Sequence, residues 1–208
     1  MKLLSVTLLV TPVHYNIDMS FTYIEVKDKE LLNRVFAFRY KIISQTKAYE
    51  SYYKETTFQN NMESDKYDKY SIHFAVLNEN NDVCASVRLI HNSAIGYPTE
   101  NDMTFDNTKF EREKLGELSR IFINQKCRNP KATKELIHNL NKLIYIKMMK
   151  LKIEYTYGAL EPNFLRLLKI FKMPYEILGE RQNQGKMGLR YPCILYTKKL
   201  AKENQQFI

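Results

Sequence analysis

Two extended segments separated by a short polar turn constrain the fold of this chain most strongly. Residues 71–77 (SIHFAVL) and 83–91 (VCASVRLIH) flank the five residues NENND at 78–82. Asparagine and aspartate tolerate turn dihedrals and hydrogen-bond their own backbone, so the pattern predicts a β-hairpin. The chain is therefore expected to contain an antiparallel pair of strands rather than to be all helical.

Helical and extended patterns alternate on either side of this hairpin. Apolar residues recur at helical spacing from Asp28, a capable N-cap, to about Thr46, and again over about 132–151. Glu161-Pro162 favours a third helix start, because proline is tolerated in a first turn. Further strands are predicted at about 21–26, 118–124, 153–159, 175–178 and 193–197. The resulting order predicts an α/β fold with a mixed sheet and helices packed on it.

The 208 residues, 44% of them hydrophobic, suit one domain with a sizeable core. Internal repeats and linker-like segments are absent from the sequence. We predict a single domain over 19–208, preceded by an N-terminal extension over 1–18. Apolar runs stay well below the roughly 18 residues of a membrane span. Cys84, Cys127 and Cys193 are scattered and form no CxxC pair, so neither a disulfide framework nor a zinc site is predicted. No metal and no tightly bound cofactor is expected. Reduced thiols in a cytoplasm fit best.

A formal net charge of +9 favours encounters with acidic partners. Candidate partners are an acidic protein, a phosphate-bearing co-substrate, an anionic membrane or nucleic acid. A lysine-rich solvated surface explains the charge equally well. The tyrosines are not interleaved with basic residues in a way that indicates base stacking, so a nucleic-acid partner is not expected.

Four polar groupings interrupt the apolar pattern. They are Arg39 in the first helix, residues 63–68 (ESDKYD), Arg88 within an apolar strand, and residues 117–120 (ELSR). A buried arginine almost always has a carboxylate partner, and Asp65, Asp68 and Glu117 are the candidates for Arg88. Strand alternation places Glu117 and Ser119 on one face and Arg120 on the other, unless a β-bulge re-aims it. A purely structural salt-bridge network remains an alternative interpretation.

In this order and spacing, the four groupings resemble the motif series of the acyl-homoserine-lactone (autoinducer) synthases and of the related N-acyl amino acid synthases. The resemblance covers about residues 21–192. It implies a GNAT-like fold, with a mixed, mostly antiparallel central sheet and helices on both faces. It also implies an enzyme that transfers a fatty acyl group from a carrier thioester to the amine of a small acceptor.

The resemblance implies roles for individual residues. Glu117 would be the general base, and Arg39 and Arg120 would hold a carboxylate, either of the acceptor or of Asp65 and Asp68. Arg88 would order the acidic loop. The strand through Arg120 would be splayed and would offer backbone N–H groups to the thioester carbonyl. The implied catalytic set is Glu117, Arg120 and Arg39, and the implied substrate-binding set is Asp65, Asp68, Arg88, Ile121, Phe122 and Ile123.

The donor site is expected in the turn 125–134 (QKCRNPKATK). Acetyl-CoA-binding members of this fold use a glycine-rich turn there, but this stretch has no glycine and is basic. It suits a phosphopantetheine phosphate and the acidic surface of an acyl carrier protein, through Lys126, Arg128, Lys131 and Lys134. Acyl-CoA is the alternative donor. The basic residues are also explained without any donor site, as the solvated first turn of a helix.

Two departures bear on the acceptor. Ile43 and Tyr49 stand where the autoinducer synthases usually carry phenylalanine and tryptophan. His73 and residues 96–100 (GYPTE) are more like the N-acyl amino acid synthases, although a core position is the more ordinary role for His73. The sequence therefore favours an amino acid acceptor, with S-adenosylmethionine as the alternative.

Overall fold

The strands and helices follow the predicted order, with several short additions. A computed structural model describes residues 21–127 and 130–207, so the predicted extension at 1–18 lies outside the described residues. The strands are β1 (Thr22–Val26), β2 (Ser71–Leu77), β3 (Val83–His91), β4 (Leu115–Ile123), β5 (Tyr155–Leu160), β6 (Glu176–Ile177), β7 (Gln182–Asn183) and β8 (Leu189–Tyr196). The helices are α1 (Lys29–Gln45), α2 (Glu50–Glu55), α3 (Pro98–Asp102), α4 (Pro130–Lys150), α5 (Pro162–Ile170) and α6 (Thr197–Glu203).

The strands form one sheet in the order β1-β2-β3-β4-β5-β8-β6, with β7 paired to β8. The predicted hairpin is confirmed, because β2 and β3 pair in antiparallel register across 78–82. Among the described strands, β4 and β5 form the one parallel pair, and their ladder extends only from Leu115 to Glu117 on β4. Beyond Glu117 the two strands diverge and leave a gap in the middle of the sheet.

Helices pack on both faces of the sheet, because each strand alternates its side chains between two apolar layers. On one face, Leu31 and Val35 of α1 pack against Ala75 of β2. The Asp28 carboxylate caps α1 by accepting the Leu31 N–H at 2.7 Å. On the other face, the apolar side of α4 forms the main core with residues such as Phe74. The predicted mixed, mostly antiparallel α/β architecture is confirmed.

The elements that sequence patterns did not locate are short. Helices α2 and α3, strand β7 and helix α6 each span seven residues or fewer, which is too little for a clear periodicity. Helix α6 begins at Thr197, where a strand was expected to end. Within residues 21–127 and 130–207, the helices are too short or too polar to cross a bilayer.

The cysteines are free thiols, as expected, but two of them are not scattered in space. The sulfur of Cys127 lies 2.7 Å from that of Cys84 on β3. Burial, followed by this contact, raises the pKa of the Cys84 thiol to about 12. The Cys84 thiol therefore stays protonated, and the two buried side chains pack at the base of the turn that precedes α4.

Candidate active site

The gap between β4 and β5 is a cleft that encloses about 550 Å³, part of it open to solvent. Its closed end lies at Glu117, the last β4 residue that pairs with β5. From there, β4 forms one wall, and β5 with the start of β8 forms the other. The lining residues are Tyr49, Pro98, Glu117, Leu118, Ser119, Arg120, Ile121, Phe122, Ala159, Leu160, Phe164, Gln184, Met187 and Arg190.

A β-bulge in β4 re-aims Arg120. Opposite β4, Ser86 pairs with Phe122 and Arg88 pairs with Ser119, so two β4 residues lie opposite one residue of β3. Arg120 adopts a left-handed backbone with a φ of 52°. Such a conformation costs roughly 1–3 kcal/mol in a residue with a side chain. The bulge turns Arg120 to the face that carries Ser119, whereas simple alternation placed the two on opposite faces.

Arg39 is fully buried between two carboxylates. Its Nε donates to Glu63 at 2.5 Å and its Nη1 donates to Asp68 at 2.9 Å. These bonds tie the middle of α1 to the loop that precedes β2. The guanidinium of Arg39 is thus committed to carboxylates of the protein itself.

Arg120 and Arg88 complete the network from the sheet side. Arg120 Nε donates to Glu63 at 2.9 Å, and its Nη2 donates to Asp65 at 3.0 Å. Arg88 donates from Nη1 to Asp65 at 2.6 Å and to Asp68 at 3.1 Å. Its Nε donates to the Ser119 hydroxyl at 3.0 Å. Of the three candidate partners, Asp65 and Asp68 form the ion pairs with Arg88, and Glu117 lies outside this set of ion pairs.

The network balances three guanidinium charges against three carboxylates. Burial alone would raise the pKa of Glu63, but the guanidinium groups of Arg120 and Arg39 hold it well below its usual range. Against the same opposing effect of burial, Arg39 and Arg88 lower the pKa of Asp68. Glu63 and Asp68 therefore stay ionised at neutral pH, and the ion pairs with Glu63 and Asp65 fix Arg120 beside the cleft.

Glu117 behaves differently from these paired acids. It is 1% exposed, and its carboxylate accepts the backbone N–H of Thr99, in the first turn of α3, at 2.9 Å. Burial raises the pKa of Glu117 to about 7, although the Thr99 N–H and, more weakly, Arg88 oppose the shift. A carboxyl group with such a pKa exchanges a proton readily at neutral pH, as a general base must.

We expect Glu117→Gln to be more stable than the wild type at pH 8. Folding raises the pKa of Glu117 from the usual 4.5 to about 7, so stability is lost as the pH rises from about 4.5 to 7, and the loss is complete above pH 7. The difference in unfolding free energy is on the order of 3 kcal/mol at pH 8 and vanishes below about pH 4.5. Urea unfolding of both proteins at pH 4 and pH 8 measures it. An equal pH dependence of the two would contradict the raised pKa.

The structure separates the sequence-predicted residues into a cleft group and a supporting group. Glu117, Arg120, Ile121 and Phe122 line the cleft. Ile123 packs against the main core, which Ile121 also contacts in addition to lining the cleft. Arg39, Asp65, Asp68 and Arg88 form the network beside the cleft, where Asp65 and Asp68 are the carboxylates that the arginines hold.

The expected donor residues lie around the start of α4. Lys134 is exposed near the first turn of that helix. Lys126 falls in a short 3-10 turn and Lys131 in the first turn of α4, and Arg128 lies outside the described residues.

Sequence patterns missed several residues of the site. The Tyr52 hydroxyl donates to Glu63 at 2.9 Å, and burial raises the pKa of Tyr52 to about 12. Arg190, at the start of β8, lines the cleft wall opposite Arg120. Neither residue belongs to a recognisable motif, although the density of tyrosines between 49 and 53 signals an aromatic surface.

His73 occupies a core position. It is 4% exposed, and its Nε2 lies 3.6 Å from Asp68. Burial lowers the pKa of His73 to about 4, and the nearby carboxylate of Asp68 opposes this shift only in part. The imidazole is therefore neutral at physiological pH, in keeping with the core alternative.

Several solved structures share this architecture. Residues 39–138 match the family model of the acetyltransferase (GNAT) domain. No curated protein matches the chain by sequence. The acyl-homoserine-lactone synthase LasI has a TM-score of 0.67 and 14% identity, covering 89% of this chain and 93% of its own. FeeM, an N-acyl amino acid synthase from uncultured soil microbes, has a TM-score of 0.67 and 11% identity, covering 93% and 100%.

A third similar structure is the CoA-dependent acyl-homoserine-lactone synthase BjaI, solved with S-adenosylmethionine and isopentyl-CoA. Its TM-score is 0.63 at 14% identity, and the match covers 89% of this chain and 87% of BjaI. At such identities the likeness establishes a common fold, and the GNAT-like fold that the ordered motifs implied is confirmed. The chain therefore shares its fold with acyl-homoserine-lactone synthases and an N-acyl amino acid synthase, and its residues 39–138 match the model of the GNAT acetyltransferase domain.

Proposed function

We propose that this protein transfers a fatty acyl group from a phosphopantetheine thioester to the amine of a small acceptor. The observation that carries the proposal is Glu117, a buried carboxyl group with a pKa of about 7 at the closed end of the cleft between β4 and β5. The GNAT domain match and the likeness to other acyltransferases support the same reaction class.

The proposed reaction is a direct displacement at the thioester carbonyl. A neutral amine attacks the carbonyl carbon, a C–N bond forms and the C–S bond breaks. Glu117, directly or through a water, accepts the proton that the nitrogen loses, and the thiolate leaving group takes up a proton. Backbone N–H groups on the β4 edge, which has no ladder partner on β5 beyond Glu117, would stabilise the tetrahedral oxyanion.

The arginine–carboxylate network would act as the rigid support of this site. It links α1, the loop before β2, strand β3 and strand β4 through buried, charge-assisted hydrogen bonds. Because Arg120 follows Ser119 at the bulge, the ion pairs also hold the bulge in its strained conformation. The cleft wall is then preorganised before the substrates arrive, which lowers the cost of reaching the transition state.

An acyl carrier protein is our preferred donor, with acyl-CoA as the alternative. The preference rests on the basic, glycine-free segment 125–134, which leads into α4 and in which the side chain of Lys134 is exposed. A cytoplasmic enzyme would meet both donors. For the acceptor we prefer an amino acid, and we retain S-adenosylmethionine as a second candidate because BjaI was solved with it.

Product analysis tests the proposal. Purified protein is incubated with a long-chain acyl carrier protein or acyl-CoA, and with either an amino acid mixture or S-adenosylmethionine. We expect an N-acyl product in mass spectra, formed faster from the carrier protein. Methylthioadenosine release would identify the autoinducer branch, and its absence during acyl turnover would exclude that branch.

The absence of any acylated amine, with both donors and every acceptor, would overturn the proposed function. Far-UV circular dichroism and a cooperative thermal transition establish that the protein under test is folded. A titration with RNA and DNA completes the experiment, because tight binding without turnover would favour a non-catalytic role for the basic surface.

A further inference from the structure

Arg190 is a cationic side chain of the cleft that does not belong to the arginine–carboxylate network. The guanidinium groups of Arg39, Arg88 and Arg120 already face Glu63, Asp65 and Asp68. Their charges are balanced by the protein itself, so an anionic group of the acceptor needs another partner. Arg190 lines the cleft, is 6% exposed, and belongs to the opposite wall.

The strand register directs Arg190 to the face on which Glu117 lies. Glu117 pairs with Tyr157, and Tyr157 pairs with Ile194 of β8. Side chains two residues apart on a strand share a face, so Arg190, Pro192 and Ile194 lie on the same face as Glu117. The turn expected to hold the donor phosphate precedes α4, which packs on the other face. Arg190 thus belongs to the acceptor side of the cleft.

The hydrogen-bonding capacity of Arg190 is incompletely used. Its Nη2 lies 2.9 Å from Glu161 Oε1, a carboxylate whose side chain is 36% exposed. Its buried Nε and Nη2 have no partner with hydrogen-bond geometry among the described residues. A buried donor without an acceptor is costly, whereas the planar guanidinium fork matches a carboxylate with two parallel hydrogen bonds.

We propose that Arg190 is a specificity-determining residue that binds the carboxylate of the acceptor. The inference rests on the proposed transfer to an amine, and it restricts the acceptor to molecules with a carboxylate close to the amine, as in an α-amino acid. The amine lies towards Glu117 at the closed end, and the carboxylate lies towards Arg190 on the β8 wall. Glu161, whose Oε1 lies 2.9 Å from Arg190 Nη2, competes with the acceptor carboxylate for the guanidinium.

Tyr49 adds a second contact to this subsite. It lines the cleft, and its ring packs edge-on against Phe122 with centroids 5.7 Å apart. Burial raises the pKa of the Tyr49 phenol, and the nearby guanidinium of Arg190 opposes the shift. The phenol stays protonated and is a hydrogen-bond donor beside the guanidinium, which suits an anionic ligand.

A matched pair of acceptors tests the inference. For each protein variant, kcat/KM is measured with an amino acid that the wild type acylates and with the corresponding amino acid amide, which keeps the amine and lacks the charge. We expect the wild type to prefer the acid, and Arg190→Met to reduce the acid-to-amide ratio about 10- to 100-fold. Arg190→Lys should retain an intermediate ratio, because lysine keeps the charge but not the fork.

Glu161→Gln provides a control of opposite sign. Removing the competing carboxylate should lower KM for the acid severalfold while the KM for the amide changes little. If Arg190 has a purely structural role, Arg190→Met will lower kcat/KM for the acid and for the amide by the same factor. The acid-to-amide ratio would then be unchanged, which would overturn the inference. A rise in the donor KM with an unchanged ratio would also overturn it, because Arg190 would then bind the donor phosphate.

Two further outcomes separate the inference from the proposed function. If the wild type acylates neither the acid nor the amide nor any other amine, the proposed function fails. If the wild type acylates amines but the acid-to-amide ratio is the same in wild type, Arg190→Met and Glu161→Gln, the inference alone fails. Should Arg190→Met not fold, Arg190→Lys and Glu161→Gln decide the question, since each preserves the polar character of its position.

Discussion

Replacing Glu117 with glutamine is expected to lower kcat about 10²- to 10⁴-fold, the range typical of a lost general base. Glutamine keeps the size of the side chain and accepts the Thr99 N–H, so the cleft should keep its shape. Steady-state kinetics with a saturating acyl donor measures the loss. Glu113→Gln, at an exposed position before β4, is the matched control and should retain full activity.

The pH dependence sharpens this prediction. The wild-type kcat/KM should rise with pH and inflect near pH 7, as Glu117 loses its proton. The acceptor amine also loses a proton with rising pH, which by itself makes kcat/KM increase with pH. This increase should persist in Glu117→Gln, whereas the inflection near pH 7 should disappear. A variant with an unaltered profile and an unaltered kcat would remove Glu117 from the mechanism.

The second large expected effect is a loss of stability in the Glu63→Gln variant. Glu63 is fully buried and accepts from Arg39, Arg120 and Tyr52. A neutral amide leaves two guanidinium groups undercompensated, and breaking a buried pair in this way typically costs about 3–5 kcal/mol. Denaturant unfolding at pH 7 measures the loss. Glu111→Gln, which breaks an exposed pair with Lys114, should cost less than about 1 kcal/mol.

Lowering the pH should reduce the difference in unfolding free energy between the wild type and Glu63→Gln. The pKa of Glu63 is lowered by folding, so its stabilisation is complete above the ordinary value of 4.5 and is lost as the pH falls through the folded-state pKa. In acid, the wild type therefore loses the stabilisation that ionised Glu63 provides. The Glu63→Gln variant lacks this stabilisation at every pH. If Glu63→Gln costs no more than the surface control at pH 7, the network is not a stabilising element.

Much of the site follows from sequence because its residues obey local rules. Arg88 sits among apolar strand residues, and burial there demands a carboxylate partner, which the structure supplies through Asp65 and Asp68. Glu117 ends the paired part of β4, and the hairpin between β2 and β3 is specified by its asparagine-rich turn. Short-range chemistry was sufficient for these features.

Other features depend on contacts that join distant segments. Arg120 carries no glycine-like signal for a positive φ, and its conformation is maintained by ion pairs with Glu63 and Asp65, more than 50 residues away. Arg190 precedes the predicted start of the last strand, so pattern analysis gave it no orientation. Its place in the cleft arises when β8 pairs with β5, a pairing between strands distant in sequence.

The shortness of the β4–β5 ladder has a consequence for how the enzyme's geometry is controlled. With strand pairing confined to Leu115–Glu117, the two halves of the sheet are joined chiefly through the apolar layer on the opposite face, where Phe74 and Leu195 belong to one core cluster. The angle between the half of the sheet that ends at β4 and the half that begins at β5 is then set by side-chain packing in that apolar layer, away from the cleft. A change of volume in that layer would widen or narrow the opening without altering any residue that lines it.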